Sequence, residues 1–227
     1  MASSVVHLAI INELTKKIDF NDINRLKFGA VVADAGTYGK SHLKINVSDG
    51  KKSYDFDRYR LMFGGRILSD DLYLGYYLHL VQDALYRHYV YDRYHWDPLI
   101  PGNVELLHKD YSIVNHYVVS KYQLKNDLVV PKGFENEDIN QLDTFHIEKF
   151  MMDMSSYFRP VKEENIFFFT KEMSDEYIEE AIDFCLKEVE KIRNGLPGID
   201  MIEYAWERGM GNAQTFYQGL AGTIEKG

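Results

Sequence analysis

The chain has 227 residues, 45% hydrophobic and 27% charged, a composition that excludes intrinsic disorder and a length that can bury a core without an oligomer. A formal charge of -9, from 26 Lys and Arg against 35 Asp and Glu, opposes nonspecific binding to nucleic acid or to an anionic membrane. The single cysteine, Cys185, excludes an intrachain disulfide and a cysteine-rich metal site.

At the N-terminus few apolar residues follow one another, and Lys16 and Lys17 come after them, the reverse of a signal peptide. No stretch reaches the length of a membrane span, so cytoplasmic residence is the expectation. Val6, Ile10, Leu14 and Ile18 recur at helical spacing and predict a first helix through about residue 17, with Ser3 or Ser4 as its cap and His7 beside the apolar stripe. A second helix is predicted over 22–32, capped by Asp22 and ending at Ala33, Asp34, Ala35 and Gly36.

Residues 36–53 read as a long loop or short extended segment containing His42. A short helix over 54–63 is expected to stop at Gly64 and Gly65. Ser69, Asp70 and Asp71 then open the most informative helix, 72–91, with Leu74, Leu78, Val81 and Leu85 as apolar contacts. Helical periodicity returns over 104–124, 135–158 and 174–193, and a last compact element is expected at 199–208. The run Ile166 to Phe169 suits either a short strand or a buried turn. The expected fold is all-α: one helical domain over 1–208 without a central parallel sheet, followed by a tail at 209–227 that either packs on it or frays.

His79 and Asp83 are four residues apart in the 72–91 helix, which puts both on one face, one turn apart. Such a pair is commonly just a hydrogen-bonded pair, but here its neighbours are apolar, and two buried ionisable groups need a partner that a cation can provide. Asp34 and His42 complete a set of two nitrogens and two oxygens of the kind zinc accepts, with a position left for water. Arg87, one turn beyond Asp83, either pairs with that carboxylate or holds a substrate phosphate, as Arg66 also could. Tyr76 and Tyr77 flank the site and are explained by core packing. His95 and His146 are explained as packing histidines; His108 and His116, two helical turns apart, are too distant to meet on one ion. The segment from Gly36 to Ser41 ends in Gly-Lys-Ser but lacks the first glycine of a phosphate-binding loop.

The order of four pieces resembles the zinc-dependent phospholipase C family and its small bacterial relatives, with the S1/P1-type nucleases more distant. The pieces are His7; Gly29, Ala30, Val31, Val32, Ala33 and Asp34; Ser41 and His42; and the run from Leu74 to Asp83. The resemblance covers the first half of the chain and implies a zinc-dependent phospholipase C fold. It further implies that Asp34, His42, His79 and Asp83 hold one zinc ion, with Asp83 bridging to another held by His7 and the chain terminus. Two departures stand out: Ala33 replaces a proline before the aspartate, and no His-x-x-x-Glu follows, since Ser112 and Ser120 lie four residues after His108 and His116. The full set of three ions is thereby put in doubt, and a site of one ion, or of two using His7 or His88, is expected, two being favoured.

The function expected is hydrolysis of a phosphate ester of a small molecule or lipid headgroup by a metal-activated water, with Asp34, Asp83 and Arg87 in the catalytic set. The alternatives are a single-strand nuclease, opposed by the acidic balance, and a noncatalytic protein stabilised by a closed metal site.

Overall fold

The computed structural model describes residues 2–48, 50–159, 161–162 and 165–207, so the expected tail at 209–227 lies outside the described residues. Within them the chain is predominantly helical, but it also carries a small antiparallel sheet that the all-α expectation omits. The helices are α1 (Ser4–Leu14), α2 (Ile23–Val32), α3 (Tyr38–Ser41), α4 (Phe56–Ser69), α5 (Asp71–Arg87), α6 (Asn103–Lys121), α7 (Ile147–Ser156) and α8 (Lys171–Arg193). The strands are β1 (Lys44–Ser48), β2 (Lys51–Tyr54) and β3 (Trp206–Glu207). Among the described residues no helix is long and apolar enough to cross a membrane.

Side-chain caps start most of the long helices, at Asp22 and Asp70 where the sequence suggests and at Thr170 one turn before the expected start at 174. Asp22 accepts from the Arg25 amide at 3.0 Å, Asp70 from Leu72 at 3.0 Å and Thr170 from Met173 at 3.1 Å, each satisfying an amide that a first turn leaves unpaired. Ser3 caps α1 by accepting from Val6.

Three local expectations are corrected. The 36–53 segment is a short helix and a hairpin, β1 pairing with β2 from Lys44↔Tyr54 to Ser48↔Lys51. β3 joins at Lys52↔Trp206 from far along the chain, a pairing that no local pattern announces. Second, α4 runs through Gly64 and Gly65 to Ser69, because Phe63 before the pair and Ile67 after it are both buried. That burial offsets the roughly 1 kcal/mol that each helical glycine costs. Third, the stretch expected as one helix over 135–158 is broken into short turns before α7. There the Asp143 carboxylate accepts from the Thr37 amide, and the His146 amide donates to the Ala35 carbonyl at 2.8 Å, tying this segment to the turn that carries Asp34.

Helix α5 is the axis of the molecule. Every residue from Asp71 to Ala84 is buried, with α2, α4 and α8 packed against it, and α1 lies among α2, α6 and α8. The α2 and α5 backbones touch at two reciprocal glycines: a Cβ on Gly29 would overlap the Leu72 carbonyl, and one on Gly75 the Leu26 carbonyl. Only glycine permits this approach. Arg25 locks the same crossing from outside, with Nε 2.8 Å from Asp70 Oδ1 and Nη2 2.8 Å from Glu137 Oε1.

Candidate metal centre

The close crossing of α2 and α5 brings the turn after α2 alongside the middle of α5. His79 of α5 makes its Nδ1 contact with the Ala30 carbonyl of α2 at 2.8 Å. With Nδ1 as the donor, Nε2 keeps its lone pair and points away from α2. His42, at the end of α3, is oriented by Ser41, whose Oγ lies 2.9 Å from Nδ1. Tyr76 in turn donates to the Ser41 carbonyl, so the ring of α5 that the sequence assigns to packing also braces the segment carrying a ligand.

Four ligand atoms converge at this point. His42 Nε2 is 3.0 Å from His79 Nε2, 3.4 Å from Asp34 Oδ1 and 3.6 Å from Asp83 Oδ2. His79 Nε2 is 3.8 Å from Asp34 Oδ1 and 4.0 Å from Asp83 Oδ2. Ligand atoms roughly 2.0–2.2 Å from a tetrahedral zinc ion stand about 3.3–3.6 Å from one another, and these five separations bracket that spacing. Asp34 Oδ1 is buried and has no hydrogen-bond partner, although the other oxygen of the same carboxylate accepts from Ser4 Oγ at 2.5 Å. An orphaned carboxylate oxygen facing two imidazole nitrogens is an arrangement that a divalent cation satisfies.

A second group adjoins the first. His7 of α1 is fully buried, with Nδ1 2.7 Å from Gln82 Oε1 and Nε2 3.5 Å from Asp83 Oδ1, and its ring lies 4.1 Å from that of His79. Two overlapping groups, His7 with His79 and Asp83, and Asp34 with His42 and His79, thus each bring three donors within 4.8 Å of one another. A single imidazole lone pair serves one ion, so the group able to serve both is the Asp83 carboxylate. Its Oδ1 faces His7 and accepts from the Ala2 amide at 3.0 Å, while Oδ2 faces His42 and accepts from Tyr54 at 3.2 Å.

Protonation favours ligand chemistry. Burial, and then the charge of His7, hold His79 down to about 3 against the pull of Asp34 and Asp83, leaving it neutral at ordinary pH. Burial alone would raise Asp34, but the attraction of His79 and then of His42 outweighs it and holds the carboxyl at about 2. Burial is likewise overcome at Asp83, which contact with His7 holds well below the usual carboxylate range. For His7 the same contact prevails over burial and raises its value. Both carboxylates of the cluster are thereby held ionised at ordinary pH.

Asp34 is also the ligand that opens outward. It lines a cavity of about 600 Å³ together with Ser4, Arg87, Trp96, His108 and Tyr157, and its side chain is 12% exposed where those of His79 and Asp83 are closed off. Arg87, on the Asp83 side of α5, reaches this wall. Its Nη1 donates to the Tyr91 hydroxyl at 2.6 Å and the guanidinium lies over the rings of Tyr91 and Trp206.

His88 is not brought to the cluster. Five residues beyond Asp83 place it about 140° around the helix at ~100° per residue, and its Nδ1 pairs with Asp92 at 2.5 Å beside Tyr204 in a separate cavity. His95 is exposed at a φ of 51°, His146 is exposed just before α7, and Arg66 pairs with Glu137 and Asp138. Sequence reasoning passes over Gln82, Tyr54 and the support that Ser4 lends Asp34. Gln82 is signalled by its place between Val81 and the Asp83 carboxylate in a largely apolar stretch of α5, but Tyr54 and Ser4 become neighbours of the carboxylates only through folding.

No family model matches the chain, no curated protein matches it, and no solved structure matches it. Fold and site together define a mainly helical protein with a buried His/Asp cluster that is suited to a metal ion and consistent with a metal-dependent enzyme.

Proposed function

We propose that the chain is a zinc-dependent hydrolase of phosphate esters, with Asp34, His42, His79 and Asp83 holding one ion and Asp83 and His7 a second. The observation that carries the reading is the orphaned Asp34 Oδ1, buried in the ligand cluster on a residue that also lines an open cavity. The resemblance to zinc-dependent phospholipase C supports the same assignment residue by residue, with Ala2 and His7 beside the bridging carboxylate. Bound zinc would supply neutralisation of the nonbridging phosphate oxygens and activation of a water.

The chain's own residues do the rest. Ser4 fixes the outward oxygen of Asp34, so that Oδ1 stays directed at the centre, and Tyr54 donates to the Asp83 oxygen that faces His42, which holds that carboxylate turned for bridging. His79 and His42 donate neutral lone pairs, leaving the charge balance to the carboxylates. Arg87, held flat by Tyr91 and Trp206, is preorganised to take two oxygens of a phosphate that enters past Asp34. It is the only Lys or Arg lining the cavity among the described residues, which suits one phosphate and disfavours a nucleic-acid strand.

The test is a titration of zinc-loaded protein with inorganic phosphate, read by zinc-edge absorption spectroscopy, alongside turnover of generic phosphomonoester and phosphodiester substrates. Phosphate is expected to enter the zinc coordination shell. A shell unchanged at saturating phosphate, with no turnover of either substrate, would sink the hydrolase reading in favour of a metal-stabilised structural protein.

A further inference from the structure

The cavity that Asp34 lines is backed by a segment lacking regular structure, the run Phe167 to Phe169. Asp110 of α6 is 1% exposed, and among the described residues no ion pair to it is found. Its carboxylate accepts instead from three successive amides, Phe167 at 2.7 Å, Phe168 at 2.7 Å and Phe169 at 2.9 Å. Charge-assisted bonds from consecutive amides fix the course of the chain through the phenylalanine run. Phe168 then stacks on Trp96 with centroids 4.3 Å apart, and Phe169 meets Tyr86 and Tyr111 edge-on at 5.6 and 5.7 Å. Trp96, Tyr86 and Tyr111 all line the cavity. A buried carboxylate on one helix thus holds Phe168 and Phe169 behind three aromatic rings of the cavity lining: Trp96, Tyr86 and Tyr111.

We propose that the cavity takes a small phosphate ester whose organic part is a flat ring, with the phosphate toward Asp34 and Arg87 and the ring against the wall that Asp110 holds. The proposal rests on the phosphate-ester reading and names its substrate class. The volume, about 600 Å³, matches a ligand of that size. Among the described residues Arg87 is the one Lys or Arg of the lining and Asp34 the one cluster residue in it, a charge pattern that suits a ligand with a single anionic end. Rigid rings favour a flat partner over a flexible chain, because an aromatic contact adds stacking to area burial while an alkyl chain also loses rotamer freedom.

The experiment is calorimetric titration of the zinc-loaded full chain with inorganic phosphate, phenylphosphonate and propylphosphonate, none of which can turn over. Phenylphosphonate is expected to bind more tightly than propylphosphonate by roughly threefold to tenfold, the increment of one aromatic contact. Trp96→Leu should bring that ratio near one while leaving the affinity for inorganic phosphate unchanged, and Asp110→Asn should do the same if it folds. Equal binding of the two phosphonates, or a preference for the alkyl one, overturns the proposal and leaves the phosphate-ester reading standing. A ring preference that survives Trp96→Leu overturns it as well. If wild-type protein binds no inorganic phosphate, the reading beneath it falls instead.

Discussion

The ligand cluster and the aromatic wall above it are held in place by different kinds of bond. The ligands stand on regular helices, α1 and α5, and on the short turns that follow α2 and α3, and their spacing comes from helical periodicity and a close backbone crossing. The wall adds to Tyr86 of α5 and Tyr111 of α6 an irregular part, Trp96, stacked on a phenylalanine run whose amides Asp110 accepts. A metal site tolerates little displacement, and packed helices supply that rigidity. A cavity wall can vary as long as its anchors hold, and irregular chain pinned by a carboxylate supplies that freedom.

The comparison breaks most severely at the helix crossing. Gly75→Val inserts a side chain where the Leu26 carbonyl already lies, and backbone cannot move aside as a side chain can. We expect a loss exceeding about 3 kcal/mol, beyond ordinary overpacking, seen as collapse of the cooperative thermal transition in circular dichroism. Survival of that transition within a few degrees would show that the crossing is not what positions the ligands. Next in size is His79→Ala, which should abolish zinc retention at the principal site after dialysis, whereas His146→Ala should leave the metal stoichiometry at the wild-type value. Equal metal content in both variants would remove His79 from the ligand set.

A smaller effect sharpens the role of the outer contacts. Ser4→Ala deprives Asp34 Oδ2 of its donor, and zinc affinity measured by chelator competition should fall about 10–100-fold with the fold intact. An unchanged affinity would mean that Asp34 is oriented by packing alone. The least effect is expected from pH on protein stripped of metal. His79 takes up its proton near 3 when folded but near its ordinary value of 6.5 when unfolded, so the unfolded chain binds the extra proton between these limits. Stability from this group is therefore complete above about pH 6.5 and falls as pH drops, by up to about 1.4 kcal/mol per pH unit. Asp34 adds a similar loss only between its ordinary 3.8 and about 2. His7, whose value is raised, works in the opposite direction: its contribution is present at low pH and fades as pH rises through its folded-state value. Urea midpoints at pH 7 and pH 5 test the sum, and His79→Ala should flatten the decline. A midpoint that rises on acidification in wild-type protein would contradict the neutral state assigned to His79.

Much of this arrangement is legible in the chain itself, and the reasons are local. A four-residue spacing in a helix puts His79 and Asp83 on one face whatever surrounds them, and an aspartate or threonine before an apolar repeat caps a helix by satisfying amides within its own first turn. Arg87 follows Asp83 by the same spacing and does reach the cavity on that side, whereas the five-residue spacing of His88 turns it away. The continuation of α4 through Gly64 and Gly65 and the break before α7 escape such reasoning, because burial of Ile67 in one case and bonds to the Asp34 turn in the other override local propensity.

What the sequence by itself determined is therefore the set of helices that its short-range chemistry can close, along with the pair of ligands borne on one of them. Only the tertiary structure decided that His7, Asp34 and His42 join that pair, that Tyr54 and Ser4 hold the carboxylates, and that Asp110 pins amides 57 to 59 positions further along the chain behind the cavity. The physical reason lies in Gly29 and Gly75: each matters only for the helix it lets in, and neither reveals from its own surroundings in the sequence which carbonyl it will meet.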